Sequence, residues 1–158
     1  MELKWLLSHA RGYLGLGMVK EAADELARVP AESATQTEVL ALRALVLQEQ
    51  GDWRMLMEVA RTLALRQPLE VGWWITWAYA TRRARSIADA EGILLEAERT
   101  HPKDATIQFN LGCYAAQRGN LGEARRRVDR AIELEASFRD TAATDPDLAP
   151  LREAAERP

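Results

Sequence analysis

Residues 34 positions apart in this chain keep one size and polarity class through four successive units, and no other feature restricts the fold as strongly. Gly17 and Gly51 stand one period apart and Gly119 follows two periods later, with Arg85 in the intervening place. The same spacing joins Ala10, Ala44, Ala78 and Gly112, then Val19, Trp53, Ile87 and Leu121, then Leu26, Ala60, Leu94 and Val128. The units run over residues 3–36, 37–70, 71–104 and 105–136 without an insertion. A unit this short cannot bury its own apolar face, so such a period means supersecondary units stacked on a shared core.

On both sides of each turn position, apolar residues recur at three- and four-residue spacing, the mark of two amphipathic helices joined tightly. Met18, Asp52, Ser86 and Asn120 follow the turns, and all but Met18 have a side-chain oxygen able to satisfy an orphan N–H at a helix start. Pro68 and Pro102 close the second helices of their units. Pro30 arrives early in the first unit and predicts a shortened second helix, followed by the looser link "AESATQ". Gly112 lies inside a predicted helix, where glycine costs about 1 kcal/mol relative to alanine. A larger side chain at a close helix crossing costs about 1–3 kcal/mol through overpacking, more than the glycine penalty, so a close approach of two backbones would account for this glycine. Gly119 has a different task, the positive backbone angle of a tight turn.

This helix-turn-helix unit resembles the tetratricopeptide repeat. The fourth unit carries Leu111, Gly112, Gly119, Ala124 and Ala131; the third carries Trp74, Ala78, Ala90, Ala97 and Pro102. The second has Leu40, Ala44, Gly51 and Pro68, but Leu56 and Leu63 where the family usually has small residues. The first has Leu6 in place of the tryptophan and keeps Ala10, Tyr13, Gly17 and Ala22. The resemblance spans Leu3 to Glu135. It implies an all-α fold, a right-handed helical-repeat solenoid of four helix-turn-helix units, read here as one domain. Residues 137–158 read as C-terminal capping helices broken at Asp145-Pro146, with Phe138, Leu148 and Leu151 covering the last repeat and Arg139, Asp140, Arg152 and Glu153 facing water. No comparable cap precedes the first repeat, so Trp5 either packs inward, the expectation here, or marks an association surface.

The resemblance also implies a function. Tetratricopeptide arrays generally bind a peptide or another protein along a concave face lined by the first helix of each unit. On this chain the implied groove is Leu7, Arg11 and Leu14, then Ala41, Leu45 and Gln48, then Ile75, Tyr79 and Arg82, then Phe109, Asn110, Cys113 and Ala116. Leu7, Leu45, Ile75, Tyr79 and Phe109 are expected to form an exposed apolar stripe, the usual sign of a partner site. A subclass that grips a terminal carboxylate with a lysine and asparagines is not matched, since Leu7, Ala41, Arg11 and Leu45 occupy those places and only Asn110 fits. Secretion chaperones with apolar grooves are closer in surface chemistry. The expectation is a non-enzymatic adaptor that binds an apolar or amphipathic segment. The alternative is a structural subunit or homodimer scaffold using its ends and convex face.

Charge and residue inventory narrow the field further. Twenty-one basic and twenty-four acidic residues give a net charge of -3, which argues against a nucleic-acid or anionic-membrane partner. One cysteine and two histidines supply neither a disulfide framework nor a zinc site, so no metal and no cofactor are expected. His9 is expected to be packed, Cys113 to be a semi-buried thiol, and Arg125, Arg126, Arg127 and Arg130 to form a solvated outer face. No nucleophile and base converge in the sequence, hence no catalytic residues are named. Lys4, His9 and Arg11 interrupt the apolar start, and Val71 to Ala80 is about half the length that spans a bilayer, so a cytoplasmic protein is expected. Eighteen arginines against three lysines fit a GC-rich, bacterial gene.

Overall fold

The computed structural model describes residues 1–158 as ten α-helices and two short 3-10 turns, with no strand. Helices α1 (Leu3–Gly15), α3 (Thr37–Gln50), α5 (Val71–Ala84) and α7 (Ala105–Gln117) begin at the first residues of the four repeats. Their partners α2 (Val19–Ala27), α4 (Trp53–Arg66), α6 (Ile87–Thr100) and α8 (Leu121–Leu134) begin at one of the sets of apolar residues that share the period. Gly17, Gly51 and Gly119 turn the chain with φ of 73°, 69° and 82°. No other residue type adopts a positive φ, so the third repeat makes its turn at Arg85 without one. Asp52, Ser86 and Asn120 cap the following helices, accepting from the N–H groups of Met55, Asp89 and Glu123 at 3.2, 3.1 and 3.3 Å. Ahead of Pro30, α2 stops after 9 residues where α4, α6 and α8 run for 14. No helix is long and apolar enough to cross a membrane.

Packing divides the chain into two compact units, Met1–Ala84 and Arg85–Pro158, and the division falls within the third repeat, at its glycine-free turn. In Met1–Ala84, α3 feeds two cores from different faces. Val39, Leu42 and Val46 join Leu7, Ala10, Ala22 and Leu26, whereas Leu40, Ala44 and Leu47 join Leu56, Val59, Leu63 and Ala80. Leu56 and Leu63, unusual in size for their positions, are fully buried in that second core, where Ala44 and Ala80 leave room for them. The tryptophans of α5 are structural: Trp74 is buried and donates from Nε1 to the carbonyl of Pro68 at 3.0 Å, while Trp73 donates to Gln67 at 3.1 Å.

In Arg85–Pro158, α7 and α8 approach closely at Gly112. A Cβ there would lie 2.8 Å from Val128 Cγ2 and 3.3 Å from the carbonyl oxygen of Ala124, so the missing side chain is what lets α7 and α8 meet. The tail follows as α9 (Phe138–Thr144), a 3-10 turn (Pro146–Leu148) and α10 (Ala149–Glu156). Leu148 and Leu151 are buried, and Phe138 stacks on Phe109 with ring centroids 4.7 Å apart. Arg152 does not simply face water. Its guanidinium donates to the carbonyls of Ala142 and Asp145, both at 2.9 Å, and ties the end of α9 to α10.

Candidate functional site

Two of the three faces of α3 are spent on cores, which leaves the strip through Ala41, Leu45 and Gln48 outside. One period either side of Leu45 stand Arg11 on α1 and Tyr79 on α5. All three are exposed, Leu45 by 48% and Tyr79 by 45%. Gln48 is exposed beside Leu45, and Leu14, Ile75 and Arg82 are half-buried. Leu7 departs from the expected stripe: it is buried in the core with Ala10, Val39 and Leu42. Tyr79 is held from the side, since its ring meets Trp53 edge-on with centroids 5.4 Å apart. The guanidinium of Arg83 lies over the same Trp53, 5.0 Å from the ring centroid. Sequence reasoning had named neither Trp53 nor Arg83 as part of the site.

The fourth repeat does not offer the expected open surface. Phe109 is only 4% exposed, Cys113 and Ala116 are buried, and Asn110 is half-buried. The tail causes this. Phe138 covers Phe109, the turn at Pro146–Leu148 packs on α7, and Gln117 donates from Nε2 to the carbonyl of Asp147 at 2.8 Å. The Cys113 thiol ends beneath the tail, within 4.8 Å of carboxylate oxygens of Asp145 and Asp147. With Leu7 in the first core and Phe109 under the tail, the five-residue apolar stripe is reduced to Leu45 and Tyr79 as exposed members, with Ile75 partly covered.

The arginine run also divides. Arg125 and Arg126 are exposed, but Arg127 is buried and donates from Nε to Glu123 at 2.8 Å and from Nη1 to Gln108 at 2.9 Å and to Glu98. Gln108 donates in turn to Glu98. Arg126 forks onto Glu123 with bonds of 2.9 and 2.7 Å, and these hold the Glu123 carboxyl down to about 2 against the opposing effect of burial. Burial pushes the Glu98 carboxyl up, yet the bonds from Arg127 and Gln108 outweigh it and leave Glu98 below the ordinary carboxylate range. The cluster clamps α6, α7 and α8 together and spends its polar groups on one another. His9, expected to be packed, is exposed, with Nδ1 3.7 Å from Glu25 Oε2. Trp5 is likewise 51% exposed and does not pack inward.

Neither a protein-family model nor a curated protein matches the sequence. Solved structures do resemble it. TTC0263, a thermophilic TPR protein of Thermus thermophilus, is 23% identical and superposes with a TM-score of 0.68 over 98% of this chain and 83% of its own. MamA (41-end) from Desulfovibrio magneticus RS-1 is 16% identical, with a TM-score of 0.73 over 95% of this chain and 89% of its own. The chain has the all-α helical-repeat fold of tetratricopeptide proteins.

Proposed function

We propose that the chain is a non-enzymatic protein-binding module that takes an apolar or amphipathic segment of another protein along the first helices of Met1–Ala84. What supports this is the exposure of Leu45 and Tyr79 at one register of neighbouring repeats, with Trp53 bracing the tyrosine. A fixed aromatic beside an aliphatic side chain gives an anchor that loses little conformational freedom on binding, and such anchors carry most of an interface's energy. Arg11, in the equivalent place on α1, adds a cation for an acidic residue in the bound segment. Gln48 can hydrogen-bond to the segment's backbone. The surface is narrower than a groove through all four repeats, because the tail already occupies the face of α7 that carries Phe109 and Cys113.

The test is to select peptides from a random-sequence library on the intact chain and titrate them against Leu45→Ala/Tyr79→Ala. Both residues are exposed, so this variant folds normally. Affinity falls by at least about tenfold if the two side chains are anchors. Unchanged affinity moves the site elsewhere and removes this reading.

A further inference from the structure

One face of α1 is left without a partner. The places one period on in α3 indicate what this face does within an array: Val39, Leu42 and Val46, equivalent to Trp5, Ser8 and Gly12, are buried against the first repeat. In α1 no other helix covers that register, and only Lys4 of α1 itself stands over the Trp5 ring, 5.6 Å from its centroid. Trp5, Ser8, His9 and Gly12 are exposed, and Leu16, on the same stripe, is 75% exposed. Large and small residues are unevenly placed along it. The tryptophan stands near one end, and a shallow hollow of about 310 Å³ lined by Ser8, His9, Gly12, Tyr13 and Leu16 occupies the other. A Cβ at Gly12 would meet nothing within 4 Å.

We propose that this face pairs with the same face of a second copy, the two α1 helices running antiparallel about a twofold axis that passes between Ser8 and His9. A twofold contact requires that if residue i meets residue j, then j meets i. With the axis at that point Trp5 falls opposite Gly12, so each indole fills the other copy's hollow, and Met1 falls opposite Leu16. Trp5 and Gly12 share one stripe because seven residues make almost two helical turns. Parallel pairing would set Lys4 on Lys4 and Trp5 on Trp5 and leave both hollows empty. A pair of 13-residue helices, each about 20 Å long, covers less than the roughly 800 Å² per partner of a standard interface, so the dimer is weak and concentration-dependent.

Sedimentation velocity on the intact chain from about 1 μM to about 1 mM tests this, a range that brackets the affinity of so small an interface. The parent forms a reversible dimer. Trp5→Ala removes the knob and Gly12→Arg fills the hole, each weakening dimerisation by at least about tenfold while circular dichroism shows parental helicity. The reciprocal variant Trp5→Gly/Gly12→Trp exchanges knob and hole across the axis and returns the dissociation constant to within a few-fold of the parent. Leu45→Ala/Tyr79→Ala leaves it unchanged. A parent that stays monomeric throughout, a dimer indifferent to both single variants, or a reciprocal variant as weak as either single one overturns the proposal.

Discussion

One absent side chain sets the distance between α7 and α8. With Val128 Cγ2 2.8 Å from where a Gly112 Cβ would sit, Gly112→Leu is expected to lower stability by about 1–3 kcal/mol in urea denaturation. Exposed Arg125→Ala should stay within about 0.5 kcal/mol in the same assay. That contrast was legible in the sequence, because Gly112 is out of place in a helix unless packing demands it. The division of the arginine run was legible too, though it is easily missed. Arg127 lies on the stripe of Ala124, Val128 and Ala131, three and four residues apart, which is the buried face of α8. Reading four arginines as one charged surface hides that periodicity. Truncating Arg127→Ala takes one partner from each of Glu98, Gln108 and Glu123, and leaving partly buried polar groups short of a hydrogen bond costs about 1–3 kcal/mol. Acid should reveal the same cluster. The Glu123 carboxyl is lowered from 4.5 to about 2 in the fold, so its ionised form stabilises the native state fully above that ordinary value. This contribution is lost as pH falls from 4.5 toward about 2, and the urea midpoint of Glu123→Gln should depend less steeply on pH across that window than the parent's.

At the scale of helices, the repeat period gave the starts of α1 to α8 and the early proline gave the short α2. Helix caps outside the inter-helix turns were harder to see. Asp104 caps α7 by accepting from the Ile107 N–H at 2.9 Å, although nothing in the turn pattern points to it, and Asp104→Ala should cost about 1 kcal/mol. The sequence pointed to a semi-buried Cys113 and to a tail over the last repeat, but not to the burial of Phe109 at the groove register. That burial depends on where residues 137–158 dock, and no period governs a segment outside the repeats. The cysteine nevertheless makes that docking measurable. In the intact chain the Cys113 thiol should react slowly with a disulfide reagent, and deleting residues 145–158 should speed its labelling by orders of magnitude under native conditions. Equal labelling rates would mean that the tail does not shield the thiol.

For the molecule as a whole, the period of the sequence reveals the fold because stacking four equivalent units leaves few other ways to bury their faces. It says less about the binding surface, since exposure at a given register is decided by what lies on it. Leu45 and Tyr79 are open, while Phe109 and Cys113, at the groove register of the fourth repeat, lie under the tail. The central claim is that partner segments bind the first helices of Met1–Ala84 and not the covered face of α7. Backbone amide chemical-shift mapping of a library-selected peptide on the intact chain tests it most directly. The account predicts perturbations centred on Leu45, Gln48 and Tyr79 and extending to Arg11 and Trp53, with the amides around Phe109 and Cys113 unmoved. Perturbations centred on Phe109, Cys113 and the tail, with those around Leu45 and Tyr79 silent, would contradict it.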